Sequence, residues 1–76
     1  MGLTLTDAKR NILLELADKP QHGYVLAKKL GIQGSTIYEH LQQLENNEYV
    51  LSEQDGRRKV YSLTRKGELI VEAETN

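Results

Sequence analysis

Residues 23 to 47, GYVLAKKLGIQGSTIYEHLQQLENN, restrict the fold more than any other part of the chain. Tyr24, Ala27 and Leu30 recur at helical spacing, and Ile37, Leu41 and Leu44 do so further on. Only a turn centred on Gly31 to Gly34 separates the two runs, so the helices they predict must cross steeply with their apolar stripes face to face. This is a helix-turn-helix arrangement, in which the outward face of the second helix is the part that enters a DNA major groove. Here that face carries small hydroxyls, a tyrosine and amides.

The flanking segments supply the remaining elements. Thr4 or Thr6 is placed to cap a first helix, with Asp7 near its positive end. Leu5, Ala8, Ile12 and Leu16 form its apolar stripe, which Leu13 and Ala17 widen. Leu14 points roughly opposite, either as a lone exposed leucine or as part of a contact with another chain. Pro20 ends this helix, because the residue before a proline is pushed out of the helical region. Gln21 and His22 then read as a connector, with His22 as a capping or hydrogen-bonding group in preference to a metal ligand.

Gly31 is suited to leave the second helix with positive φ, and Ile32 to tuck between the two helices. Gln33 is a poor N-cap for the third helix, residues 34 to 47, which makes its start weak. With Ile37 inward, Ser35, Glu39, Gln42 and Asn46 turn outward, and Thr36, Tyr38 and Gln43 lie on the flanks. Val50 to Gln54 and Lys59 to Leu63 are strand-like runs around an Asp55-Gly56 step, which predicts a hairpin with Tyr61 and Leu63 on the core side. Thr64 caps a last helix in which Leu69, Ile70 and Ala73 form one apolar side, with Val71 off it. Gly67 costs that helix roughly 1 kcal/mol of propensity, and marks either a close approach of another backbone or a tolerated imperfection. The expected fold class is mainly α with a small β-hairpin, one domain over residues 1–76, in the order helix, helix, helix, strand, strand, helix.

Charge distribution says more than the total, which is -1. Residues 35 to 55 hold five acids (Glu39, Glu45, Glu48, Glu53, Asp55) and no lysine or arginine, while residues 57 to 66 hold five bases (Arg57, Arg58, Lys59, Arg65, Lys66) and no acid. Lys28 and Lys29 form a second basic pair, so an anionic partner is expected to be held at two local sites. The chain has no cysteine, no apolar run near the ~20 residues that span a bilayer and no leader pattern, so a soluble, cytoplasmic protein without a membrane partner is expected. Neither GxGxxG, a phosphate loop nor a nucleophile arrangement occurs, which argues against an enzyme and against a cofactor; no metal site is expected.

Three pieces in order, HGYVLAKKL at 22 to 30, STIYEHLQQLENNEYV at 35 to 50 and GRRKVYSLTRKG at 56 to 67, resemble the PadR-like transcriptional regulators, and more loosely the ArsR and MarR groups. The resemblance implies a winged helix-turn-helix. The helix with Ser35, Thr36, Tyr38 and Glu39 would read the major groove, and the segment with Arg57, Arg58 and Lys59 would be a wing on the phosphate backbone or adjacent minor groove. It also implies a homodimer, with a small-molecule effector left undecided. Two departures stand out: this recognition helix has no lysine or arginine, and only about a dozen residues follow the wing.

The residue types then suggest roles. Gln42 and Gln43 suit adenine, Glu39 suits cytosine, Ser35 and Thr36 suit bases or phosphates, and the Tyr38 ring suits a thymine methyl or a phosphate. Lys28, Lys29, Arg57, Arg58 and Lys59 are the expected phosphate contacts. Leu13, Leu14, Ile70 and Val71 are the expected dimer contacts, on a palindromic operator with half-sites about 34 Å apart. The alternative is a protein-interaction module, favoured by the acidic recognition helix.

Overall fold

The computed structural model describes residues 6–75. Thr6 is the N-cap of α1 (Asp7–Asp18), its Oγ1 accepting from the Lys9 amide at 3.3 Å, while Thr4 and Leu5 lie outside the described residues. Lys19, held extended ahead of Pro20, stops the helix. Ile12, Leu13 and Leu16 are its buried apolar face. Leu13 is only 1% exposed and is a core residue, which corrects its expected place at a dimer contact. Leu14 turns outward at 36% exposure.

Gln21 and His22 are more than a connector. They form β1 (Gln21–His22), which pairs antiparallel with β3 (Arg58–Leu63) through Gln21↔Tyr61 and His22↔Val60. With β2 (Val50–Asp55) on the other side of β3, the expected hairpin becomes a three-stranded sheet of order β1-β3-β2. The buried Gln21 side chain uses both ends of its amide: Nε2 donates to the Glu15 carbonyl at 2.8 Å, and Oε1 accepts from Lys29 Nζ at 2.8 Å. One side chain thereby ties α1, β1 and the following helix together, as a buried amide requires.

α2 (Gly23–Leu30) buries Gly23, Leu26 and Ala27, whereas Tyr24, expected on its apolar stripe, is exposed. The inward arc is therefore one residue away from the one that Tyr24 suggested. Gly31 takes φ 65° at the helix end, and the Ile32 amide reaches back to the Ala27 carbonyl at 2.9 Å, a Schellman closure. α3 (Gly34–Asn46) follows from Gln33, whose side chain makes no capping bond, and buries Ile37, Leu41 and Leu44 completely. Each such aliphatic side chain contributes roughly 1.5–3 kcal/mol by leaving water.

α3 ends in a second closure of the same kind, but with a glutamate in the left-handed position: Glu48 has φ 64°, and the Tyr49 amide donates to the Leu44 carbonyl at 2.9 Å. A left-handed conformation costs an L-residue about 1–2 kcal/mol. Replacing Glu48 by glycine is therefore expected to raise stability by up to about 1 kcal/mol, after the entropy that glycine adds to the unfolded chain. A urea melt showing no gain would show that the Glu48 backbone is not strained.

α4 (Arg65–Thr75) closes the molecule over this junction. Thr64 Oγ1 accepts from the Gly67 amide at 3.1 Å and donates to the Glu48 carbonyl at 2.5 Å, while Lys66 Nζ donates to the Asn47 carbonyl at 2.9 Å. Gly67 faces the Tyr49 carbonyl so closely that a Cβ there would stand 2.2 Å from the oxygen. Of the two readings of Gly67, the close backbone approach is the one observed. Ile70 and Val71 pack against the core and Leu69 is exposed, so the apolar side of α4 expected from Leu69, Ile70 and Ala73 is corrected.

Candidate nucleic-acid interface

The wing is the part of the molecule richest in unshielded cationic side chains. β2 and β3 meet at Asp55↔Arg58, leaving Gly56 and Arg57 as a two-residue loop, and Gly56 supplies the positive φ of 65° that such tight hairpins need. Arg57, Arg58 and Lys59 are all exposed. A short hairpin is marginal by itself, and this one is braced beside its turn. His22 Nε2 donates to Asp55 Oδ2 at 2.9 Å, and the Arg58 guanidinium lies 4.4 Å from the centre of the Tyr24 ring, a cation–π contact between wing and α2. The exposure of Tyr24 thus has a local reason: its ring is the platform for Arg58 and lies 5.6 Å from the His22 ring.

The same region joins the wing to α3. A Cβ on Gly23 would come within 2.6 Å of the Tyr38 ring, so the tyrosine of α3 lies against the bare backbone that opens α2. Tyr38 still keeps 47% of its surface in solvent. Tyr38, Gly23, Tyr24 and Arg58 are therefore linked by successive contacts from α3 to the wing. Ser35, Glu39 and Gln42 are exposed on α3, Thr36 is half-buried, and Gln42 Nε2 is engaged by Asn46 Oδ1 at 3.0 Å.

The flank of α3 away from the wing is different. Gln43 Oε1 accepts a hydrogen bond from Lys9 Nζ on α1, so this amide is not free in the way its position on a helical wheel suggested. The basic pair of α2 also divides. Both are exposed, but Lys29 is turned to Gln21 and to Glu15 Oε1, 3.6 Å away. Sequence reasoning missed Lys9, Tyr24, His22 and Asp55 as parts of this region. A lysine three residues before Ile12, on the inward arc of α1, was the available signal for Lys9.

Under this surface, Tyr61 is buried, and burial pushes its phenol above its ordinary pKa, with the Glu45 carboxylate and then Tyr38 adding to the shift. The neutral phenol is the form the fold prefers. Its contribution to stability is present in full below the ordinary phenol pKa of about 10 and is lost as pH rises through the raised folded value. Tyr61→Phe is expected to flatten the alkaline limb of a urea-stability profile relative to the parent chain, and parallel limbs would refute this.

A family model described as the transcriptional regulator PadR-like family matches residues 12–73. The chain belongs to the PadR-like family. That match spans the second half of α1, then α2, α3, the wing and most of α4, and the family is one of transcription regulators, not enzymes. Solved structures agree on the winged-helix fold. A mutant of Lactococcus lactis ZitR superposes with TM-score 0.89 at 26% identity, over 99% of this chain and 53% of that one. The complex structure of hsRosR-S1 gives 0.89 at 26%, over 93% and 70%. The adhesin competence repressor of Streptococcus pyogenes gives 0.89 at 23%, over 95% and 56%, and shows the fold alone. This PadR-like chain spans about half the length of the ZitR structure it matches. No curated protein matched it in sequence. No helix among the described residues is long and apolar enough to cross a membrane.

Proposed function

We propose that this PadR-like chain is a cytoplasmic, sequence-specific binder of double-stranded DNA that acts as a repressor, with residues 34–47 in the major groove and the wing, residues 54–59, on the backbone or in the minor groove. The observation that carries this reading is the linked surface from Tyr38 through Gly23 and Tyr24 to Arg58, which joins α3 and the cationic wing in one contact chain. Ser35, Thr36, Tyr38, Glu39, Gln42 and Gln43 are the proposed base readers. Arg57, Arg58, Lys59 and Lys28 are the proposed phosphate contacts, and Lys29 joins them on giving up Gln21 and Glu15.

One such domain makes few phosphate contacts, so the proposed working unit is a symmetric dimer on a palindromic operator. Leu14, with Ile70 and Val71 at the edge of the core, remains the proposed contact region, and the exposed Leu69 joins it. Light scattering at high concentration should give twice the chain mass, and monomer mass throughout would remove the dimer from this reading.

The decisive experiment is fluorescence anisotropy of a mixed-sequence duplex titrated with the protein at several salt concentrations. Affinity that falls steeply with salt supports phosphate tracking. No binding at low salt would instead favour a protein-interaction module, the reading suited to the exposed Glu39 and to an α3 without lysine or arginine.

A further inference from the structure

The Lys9–Gln43 contact decides which hydrogen-bonding group α3 offers on that flank. Lys9 is 7% exposed, and a buried ammonium needs an acceptor, because it carries three donors and can accept nothing. Gln43 Oε1 is the acceptor it finds. The orientation of the Gln43 amide is therefore set by chemistry: oxygen toward α1, nitrogen away from it. The backbone of Gln43 offers no alternative outlet, since its carbonyl already accepts from the Asn47 amide at 3.1 Å and from Asn47 Nδ2 at 2.8 Å. The group turned away from α1 is the NH2.

A glutamine free at both ends reads adenine, accepting from N6 and donating to N7. One whose oxygen is held toward α1 presents its nitrogen on the other side, and that nitrogen only donates. We infer that Lys9 is a positioning residue for base recognition, holding the Gln43 nitrogen outward as the donor, which suits guanine O6/N7 or thymine O4 better than adenine, whose N6 amino group beside N7 would face no acceptor. This rests on the proposed binding of duplex DNA, and it replaces the adenine contact that the residue type alone suggests for Gln43.

The test is enrichment of bound duplexes from a randomised pool by the full chain and its variants, each first checked for folding by circular dichroism. The parent should show, in each half-site, a position preferring guanine or thymine that disappears in Gln43→Ala. Lys9→Met keeps the apolar stem and frees the amide oxygen, so that position should turn to adenine by roughly tenfold, the scale of one bidentate pair. Lys9→Arg should retain the parental preference. Gln43→Glu keeps a partner for Lys9 and exchanges the donor for an acceptor, so it should move the preference to cytosine; it keeps the inference testable if Lys9→Met does not fold.

An adenine preference at the Gln43-dependent position of the parent, an unchanged preference in Lys9→Met, or no Gln43-dependent position would overturn the role of Lys9 while leaving DNA binding intact. Failure of the parent to bind any duplex at low salt would overturn the DNA reading itself. In that event the side-chain amide resonances of Gln43 still test the contact, since they should shift in Lys9→Met, and unmoved resonances would refute the contact.

Discussion

Gly67→Ala is expected to lower the stability of this chain by about 2–3 kcal/mol, a fall in Tm on the order of 10–20 °C for a domain of this size. In an isolated helix the substitution would gain roughly 1 kcal/mol of propensity. Here the added Cβ would stand 2.2 Å from the Tyr49 carbonyl oxygen and 3.2 Å from a methyl of Leu63. The nearest obstacle is backbone, which cannot swing aside as a side chain can. That carbonyl also accepts the Thr64 amide at 3.1 Å, so moving α4 away loosens the bonds by which Thr64 and Lys66 hold residues 47 and 48. Thermal melts of Gly67→Ala beside Glu68→Ala, an exposed control on the same helix, make the comparison. A Gly67→Ala chain as stable as its parent would mean that α4 does not dock on Tyr49.

The Arg57 and Arg58 double alanine variant is expected to bind mixed-sequence duplex roughly 10–100-fold more weakly near 0.1 M salt, with the log–log salt slope reduced by nearly 2, since each phosphate contact contributes about 0.9. The two arginines contribute differently. Arg57 sits in the loop at the wing tip, and Arg58 is anchored over Tyr24. Arg58→Lys should therefore lose more than charge, because an ammonium lacks the planar face that stacks on the ring. The double variant should lower the melting temperature by only a few degrees, since both side chains are exposed and the Arg58–Tyr24 contact is worth about 0.5–1 kcal/mol. Equal affinity and slope for parent and variant would take the wing out of the proposed interface.

Much of the fold was legible because its determinants are local. The Ile37, Leu41, Leu44 stripe, the Thr6 cap, the stop before Pro20, the left-handed Gly31 and the Asp55-Gly56 turn each depend on neighbours within a few residues, and each is found where expected. The order helix, helix, helix, strand, strand, helix follows from them. The proposed interface was legible by residue type only. Arg57, Arg58, Tyr38 and Gln43 were named from their chemistry, but which atoms they leave available depends on Tyr24, Gly23 and Lys9, residues between 15 and 34 positions from their partners in the chain.

What the sequence by itself determined was the set of helices and strands, the positions where the chain turns, and the concentration of positive charge in the wing. Periodicity fixes the angle between side chains on a helix, not which neighbouring arc meets the core. Tertiary packing made that choice when it buried Leu13, exposed Tyr24 and Leu69, and turned Ile70 and Val71 inward. It alone made β1, since two residues carry no periodic signal and become a strand only against β3. It also gave Gly67 its necessity and Gln43 its polarity, because a backbone carbonyl and a buried ammonium act on them from elsewhere in the chain, where no local pattern records them.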